Sequence, residues 1–263
     1  MSRVVILKLL LFCLLAIIGA AVLYVLFLIV NGLFVDKTRE YEKDSAYFRA
    51  LLNSGTWCAM FFARIKIKTE GLEKIPDGRF LLVGNHRSKF DPIVTWYVLK
   101  HKQLAFISKP ENFKIPFYGP IIRKCCCLSI DRENPRNSLK TLYKAADLIK
   151  NDEVSVGVYP EGTRSKTDEL LPFHNGVFKI AKNANVPIVV VCTQGTEKIH
   201  TNFPLKRSHV SFAVTDVIPA EYVQSHKTEE IGARVRESLS VRLYGKSGEE
   251  TETGTECRRA SGR

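Results

Sequence analysis

A long apolar run near the N-terminus constrains this chain more than any other feature. Residues 9–30 hold about 22 consecutive apolar residues, enough for one helix to cross a hydrocarbon core of about 30 Å. A secretory signal peptide is the alternative, but the run is longer than a typical signal core. The residues that follow it, 30–34, do not form a small-x-small cleavage site. We therefore expect a retained membrane anchor.

A second apolar stretch, residues 47–62, is shorter and is interrupted by Arg49 and Asn53. It favours an interfacial helix that lies in the membrane surface, with Trp57 and the pair Phe61-Phe62 at headgroup depth. The alternative is a core helix of the following soluble domain.

The charge of the chain indicates an anionic partner. Its 263 residues carry a formal net charge of +12, which suits either nucleic acid or an acidic membrane surface. The basic residues are scattered, and no zinc finger, basic helix or aromatic RNA-binding signature accompanies them. Together with the N-terminal anchor, this pattern favours membrane lipids as partners and disfavours nucleic acid.

The seven cysteines do not form a pattern that favours disulfides or a metal site. The consecutive residues Cys125, Cys126 and Cys127 would alternate faces on a strand, so we predict buried, unpaired thiols in a reducing compartment. We expect the domain that follows the membrane segments to lie on the cytoplasmic side of a cell membrane, and we expect no metal site.

Beyond the membrane segments, short β-rich runs alternate with runs of helical period, which predicts an α/β fold with a largely parallel or mixed sheet flanked by helices. The predicted strands are 64–68, 79–83, 104–108, 126–130, 154–159, 187–192 and 210–215. The predicted helices are 92–101, 135–150, 175–183 and 228–244. We divide the chain into a membrane anchor with an interfacial helix (1–62), an α/β domain (63–244) and a disordered tail (245–263).

A histidine and an aspartate follow the predicted strand 79–83. His86 lies in the turn and Asp91 precedes Pro92, which predicts Asp91 at the N-cap of the next helix. Five residues of regular helix would hold the two side chains apart, but a turn between them lets them meet. The pair predicts an oriented general base, and the alternative is a helix cap beside an ordinary loop histidine.

Cationic residues follow other predicted strands. Arg164 lies in the turn 159–165 (YPEGTRS), where Gly162 permits close backbone approach to a ligand. Lys109 and Arg132 each follow a strand. Because ligands of parallel α/β sheets bind at the carboxyl ends of strands, these three cations predict a phosphate site. The alternatives are solvated charges and an Asp131–Arg132 pair.

These segments, in this order, resemble the glycerolipid acyltransferase family, most closely the 1-acyl-sn-glycerol-3-phosphate acyltransferases. The resemblance covers roughly residues 60 to 220. It rests on four short motifs: Asn85-His86-x-Ser88-x-x-Asp91, the Lys109/Pro116/Gly119 block with Ile130-Asp131-Arg132, the turn 159–165, and Val186-Pro187-Ile188-Val189.

The resemblance implies that an acyl group moves from a thioester to the sn-2 hydroxyl of 1-acylglycerol 3-phosphate, also called lysophosphatidate, to give phosphatidate. His86 would be the general base and Asp91 would orient it. Backbone N–H groups of Glu161, Gly162 and Thr163 would stabilise the oxyanion. The Glu161 side chain would hold the glycerol portion or brace an arginine.

The phosphate of the acceptor would bind the three cations, Lys109, Arg132 and Arg164. The donor would be acyl-CoA or acyl-carrier protein, with no further cofactor. The same chemistry on glycerol 3-phosphate or another lysolipid is one alternative, and a non-catalytic membrane lipid-binding protein is another. The sequence leaves the oligomeric state open.

Overall fold

The computed structural model describes residues 3–245, so the predicted disordered tail lies, apart from its first residue, outside the described residues. The chain divides into two compact units. The first comprises residues 3–58 and 96–156, and the second comprises residues 59–95 and 157–245. Three elements each continue across a boundary between the units: α2 (Ala46–Phe62), α3 (Asp91–Val98) and β5 (Ser155–Val158).

The first unit begins with two helices, α1 (Arg3–Leu33) and α2 (Ala46–Phe62). Helix α1 is long and apolar enough to cross a membrane, by length and composition, and almost all of its residues are exposed. Its C-terminal half packs on α2, where the Tyr24 hydroxyl lies 2.7 Å from Oγ of Ser54, in the middle of that helix. Gly32 is needed at the end of α1, because a Cβ there would lie 3.0 Å from atoms of Pro116 and Pro120.

The remaining elements of the first unit are α4 (Gly119–Lys124), α5 (Pro135–Lys150), β3 (Leu104–Ser108) and β4 (Leu128–Ser129), of which β3 and β4 pair in parallel. Helix α5 has the predicted bounds. Asn134 caps it by accepting the N–H groups of Arg136 and Asn137, and Pro135 stands at its first position.

The three cysteines at 125–127 do not form a strand, contrary to the prediction. Cys125 ends α4, and Cys126 has a φ of 59°, which places it in the left-handed region of a turn. A short turn must return the chain here from α4 to β4, and this turn replaces the first half of the predicted strand. All three thiols are nevertheless buried and unpaired, as predicted.

The second unit contains a mixed sheet with the strand order β1-β7-β6-β2, formed by Ile65–Glu70, Ser208–Ile218, Ile188–Gln194 and Leu81–Gly84. The outer pairs are parallel, and β6 and β7 are antiparallel. Strand β6 is buried from Ile188 to Cys192, so its apolar run is covered on both faces. Thus the mixed form of the predicted sheet is the one observed.

Along the chain, helices lie between the strands of this sheet and after its last strand. They are α3 (Asp91–Val98), α6 (Lys179–Ala184), α7 (Ile199–Asn202), α8 (Ala220–Ser225) and α9 (Thr228–Tyr244). The strand β5 (Ser155–Val158) begins in the first unit and ends in the second. Helix α9 was predicted with the bounds that the structure has. It buries Ile231, Val235 and Leu239 at helical spacing, which gives it one apolar face.

Candidate active site

The candidate site lies in the second unit, where the chain leaves β2. Gly84 ends the strand, and the next residue, Asn85, is buried. Its side-chain amide donates to the carbonyl of Thr193 at 2.9 Å and accepts the N–H of the same residue at 2.8 Å. These two hydrogen bonds to the end of β6 fix the backbone at the residue before His86.

His86 and Asp91 meet as the turn between them predicted. His86 Nδ1 lies 2.8 Å from Asp91 Oδ2, and the Asp91 side chain is only 1% exposed. An ionised carboxylate can only accept, so Nδ1 carries the proton and the lone pair of Nε2 is left to act as a base. The His86 side chain is 19% exposed, which leaves a path for a substrate.

The Asp91 carboxylate does not cap α3 in the predicted manner. Oδ2 accepts the backbone N–H groups of Arg87 and Ser88, each at 2.7 Å, and Oδ1 accepts the hydroxyl of Thr196 at 2.5 Å. The carboxylate therefore points back into the turn rather than forward along the helix. With the His86 bond, four donors hold it in place and stabilise its negative charge.

The backbone and ring of His86 are also held. Its N–H donates to Glu161 Oε1 at 2.7 Å, and its carbonyl accepts the N–H of Ser165 at 2.8 Å. Its ring stacks on Tyr159, with 4.3 Å between the ring centroids and 13° between the planes. The turn 159–165 therefore contacts His86 through three of its residues and fixes the direction of the ring.

Glu161 is the member of this turn whose position differs most from the prediction. The residue is 3% exposed, and its second oxygen accepts the N–H of Leu171 at 2.9 Å. Burial raises the pKa of its carboxyl, while the two backbone N–H groups of Leu171 and His86 act in the opposite direction. Glu161 thus joins the residue 171 loop to the backbone of His86, a contact that the sequence did not indicate.

The loop that follows the turn is anchored to α9. Arg236 donates to the carbonyls of Leu171 and Leu170 at 2.8 and 2.9 Å. The Tyr244 hydroxyl accepts the N–H of Leu170 and donates to the carbonyl of Asp168. Asp168 also forms a 2.6 Å ion pair with Arg87. Helix α9 is therefore connected through Leu171 and Glu161 to His86.

The predicted backbone donors are only partly accessible. The N–H of Gly162 donates to the carbonyl of Tyr159 at 3.0 Å and closes the turn, so it is engaged within the protein. Gly162 has a φ of 67°, and a Cβ there would lie 2.9 Å from the ring of His174, so both conformation and space favour glycine. Thr163 and Arg164 are exposed beside it.

The three predicted phosphate-binding cations do not all belong to one unit. Arg164 lies in the second unit with His86, whereas Lys109 and Arg132 lie in the first. Lys109 and Arg132 are both exposed, and Lys109 Nζ is 3.7 Å from Glu111. Their role in binding phosphate stays a prediction.

Sequence reasoning missed Thr196 and Arg236. Thr196 is fully buried and follows Gly195, which has a φ of 88°. A glycine directly after the buried strand β6 is the signal that could have drawn attention to this position. Arg236 gave no such signal, because nothing in the pattern of α9 links it to residues 170 and 171. Within residues 3–245, no three His, Cys, Asp or Glu side chains are grouped closely enough to hold a metal ion.

The site lies within the part of the chain that matches known proteins. Residues 66–194, which include His86, Asp91 and the turn 159–165, match the family model described as Acyltransferase. A 1-acyl-sn-glycerol-3-phosphate acyltransferase of Haemophilus influenzae is 31% identical over 152 residues, which cover 56% of this chain and 62% of the relative. The chloroplastic enzyme BAT2 of Brassica napus, with the same activity in its name, is 36% identical over 191 residues, covering 72% and 53%.

The chain thus spans about half to three-fifths of the length of these relatives. A solved structure with a similar fold is the 1-acyl-sn-glycerophosphate (LPA) acyltransferase PlsC from Thermotoga maritima. It has a TM-score of 0.66 and 22% sequence identity, and the match covers 88% of this chain and 93% of that one. At this identity the likeness supports the α/β fold alone.

Proposed function

We propose, from the match of residues 66–194 to the Acyltransferase family model, that this chain moves a fatty acyl group from a thioester to the sn-2 hydroxyl of lysophosphatidate. The product is phosphatidate. The observation that carries the proposal is the 2.8 Å contact between His86 Nδ1 and the buried carboxylate of Asp91, which leaves Nε2 to act on a substrate. The names of the relatives support lysophosphatidate as the acceptor.

In the proposed reaction, Nε2 of His86 takes the proton of the acceptor hydroxyl as its oxygen attacks the thioester carbonyl. A tetrahedral intermediate forms, and Asp91 stabilises the imidazolium beside it. When the intermediate collapses, the carbon–sulfur bond breaks and the imidazolium returns the proton to the leaving thiolate. The substrate supplies the nucleophile, so no serine or cysteine of the protein is acylated.

The proposal assigns the phosphate of the acceptor to cationic side chains. Arg164 is exposed in the turn that holds His86, and its planar guanidinium suits a phosphate. Lys109 and Arg132 complete the predicted set. The donor is acyl-CoA or acyl-carrier protein, and no other cofactor enters the reaction.

We also propose that the enzyme is attached to the cell membrane, with its catalytic part on the cytoplasmic side. The apolar helix α1 and the exposed aromatic residues of α2 support attachment. In α2, Trp57, Phe61 and Phe62 are exposed, whereas Leu51 and Leu52 on the same helix are buried, which is typical of a helix in a membrane surface.

An assay on purified full-length protein tests the function. The protein is reconstituted in lipid vesicles and supplied with acyl-CoA or acyl-carrier protein and with lysophosphatidate, glycerol 3-phosphate or lysophosphatidylcholine. We expect phosphatidate from lysophosphatidate. His86→Ala should reduce kcat by about 10²- to 10⁴-fold, the usual contribution of a general base.

The exposed residue His101, in the first unit, provides a matched control. His101→Ala should keep the activity of the natural chain. Acylation of another acceptor but not of lysophosphatidate would overturn the substrate assignment. Full activity of the His86→Ala protein would overturn the assignment of the base, and binding of lysophosphatidate without turnover would favour the lipid-binding alternative.

A further inference from the structure

An exposed apolar turn precedes β7 in the second unit. Phe203 is 53% exposed and Leu205 is 83% exposed, with Pro204 between them. A single exposed leucine is ordinary on a protein surface. Two large exposed apolar side chains in one turn are less common, and the residues around the turn indicate their role.

The turn lies beside the end of α2. Arg64 Nη1 donates to the carbonyl of Leu205 at 2.8 Å, and the carbonyl of Arg64 accepts the N–H of Ser208. Phe61 and Phe62, which are 62% and 50% exposed, stand three and two residues before Arg64 in the chain. Their rings contact each other edge to face at 5.4 Å. We call Phe61, Phe62, Phe203 and Leu205 the apolar patch.

The apolar patch lies among basic residues. Residues 59–69 and 199–212 contain no aspartate or glutamate. They contain five lysines and arginines, all exposed: Arg64, Lys66, Lys68, Lys206 and Arg207. Of these, Lys68 forms an ion pair with Glu70 at 3.2 Å. The parallel pairing of β1 with β7 brings the two segments together, with Lys66 opposite His209. An apolar centre with a cationic rim matches a bilayer surface, where acyl chains lie below anionic headgroups.

We propose that the turn 203–207 and the end of α2 form a membrane-docking surface, and that its partner is an anionic lipid bilayer. Phe203 and Leu205 enter the boundary between headgroups and acyl chains, while Lys206 and Arg207 bind lipid phosphates. The inference rests on the proposed function, since it attaches the unit that holds His86 to the surface from which a lipid acceptor comes. It adds a contact that is independent of α1.

Tryptophan fluorescence in the full-length protein tests this surface. Leu205→Trp is introduced together with Trp57→Phe, so that the only other tryptophan is Trp96, which is buried. The protein is reconstituted in vesicles of phosphatidylglycerol and phosphatidylcholine whose acyl chains carry bromine. We expect bromine to quench the added tryptophan about twofold, because interfacial side chains reach about 5–10 Å into the acyl boundary.

Val241 offers a matched control on α9. It is 46% exposed and lines a groove with Val214, which is six residues along β7 from Ser208 and therefore about 20 Å from the turn. Val241→Trp in the same background should keep its fluorescence. Lys206→Glu with Arg207→Glu should reduce the quenching at Leu205→Trp in vesicles that contain phosphatidylglycerol.

Unquenched Leu205→Trp in a protein that still forms phosphatidate would overturn the docking surface and leave the proposed function standing. The docking surface would also be overturned if self-association that depends on protein concentration protected position 205 from quenching, because the partner would then be a second copy of the chain. Quenching in a protein that forms no phosphatidate would support the docking surface and overturn the proposed function.

Discussion

Two buried carboxylates in this molecule pair with a basic side chain five residues away, and the proposed function gives the two pairs different roles. In the first unit, Asp44, which stands two residues before α2, binds Arg49 within α2 at 2.7 Å. In the second unit, Asp91 binds His86 at 2.8 Å, at the start of α3. The side chains of both aspartates are nearly inaccessible, at 3% and 1% exposed. Spacing and burial are thus alike, and the basic partner differs.

Arg49 uses its donors within the protein. Besides Asp44, its guanidinium binds the carbonyls of Leu104 at 2.7 Å and Cys125 at 3.2 Å, so it joins α2 to β3 and to the end of α4. Arginine stays protonated at any working pH and can only hold these groups. His86 can exchange a proton, and its bond to Asp91 occupies one ring nitrogen only. Under the proposed function, the Arg49 pair therefore stabilises the fold, whereas the His86 pair takes part in the reaction because histidine can exchange a proton.

Asp91→Asn should have the largest effect on activity. The asparagine carbonyl can still accept from His86 Nδ1 and from the N–H groups of Arg87 and Ser88. A neutral amide cannot, however, stabilise the imidazolium that forms on His86 as the carboxylate does. We expect kcat to fall by about 10²- to 10⁴-fold with a smaller change in KM. Steady-state acyl transfer to lysophosphatidate at a temperature where the variant is folded measures this.

A variant Asp91→Asn that kept its kcat would contradict the role of the negative charge of Asp91. His86 would then act as a base without a charged partner, and the difference between the two buried pairs would disappear. Circular dichroism provides the control that the fold persists, since Asp91 also accepts the backbone N–H groups of Arg87 and Ser88.

Arg49→Met should have its main effect on stability. It leaves the Asp44 carboxylate buried without its cation, which should lower the free energy of unfolding by about 3–5 kcal/mol. The folded fraction should keep the kcat of the natural chain. Chemical denaturation in detergent micelles, with kcat measured on the folded protein, separates the two effects.

The double variant Asp44→Leu with Arg49→Met sharpens this test. Because it removes both charges, it should be less destabilised than Arg49→Met alone. If instead Arg49→Met lowered kcat without lowering stability, the pair in the first unit would take part in the chemistry and the comparison would fail.

The sequence predicted those parts of the fold that depend on local pattern. Helices α5 and α9 have the predicted bounds, because their apolar residues recur at helical spacing over four turns. The contact of His86 with Asp91 also followed from local chemistry, since the proline after Asp91 restricts the chain to a turn.

The features that the sequence did not predict depend on contacts between distant segments. The antiparallel pairing of β7 with β6 depends on the path of residues 195–207, and Thr196 reaches Asp91 only because that path begins at the end of β6. The inward direction of Glu161 depends on Leu171, which is ten residues further along the chain. A single sequence shows residue types and spacing, but it does not show which backbone N–H group will face a carboxylate.

Glu161 provides a third buried carboxylate, and its effect should be the smallest. Burial raises its pKa above the ordinary value, so folding favours its protonated form. The stability that this contributes is fully present below pH of about 4.5 and is lost as the pH rises through the folded pKa. Glu161→Gln cannot ionise and should remove this dependence. Thermal unfolding gives the Tm of both proteins at pH 4.5 and 7. We expect the Tm of Glu161→Gln minus that of the natural chain to be more positive at pH 7 than at pH 4.5. A constant difference would mean that the N–H groups of His86 and Leu171 fully offset the effect of burial on the pKa of Glu161.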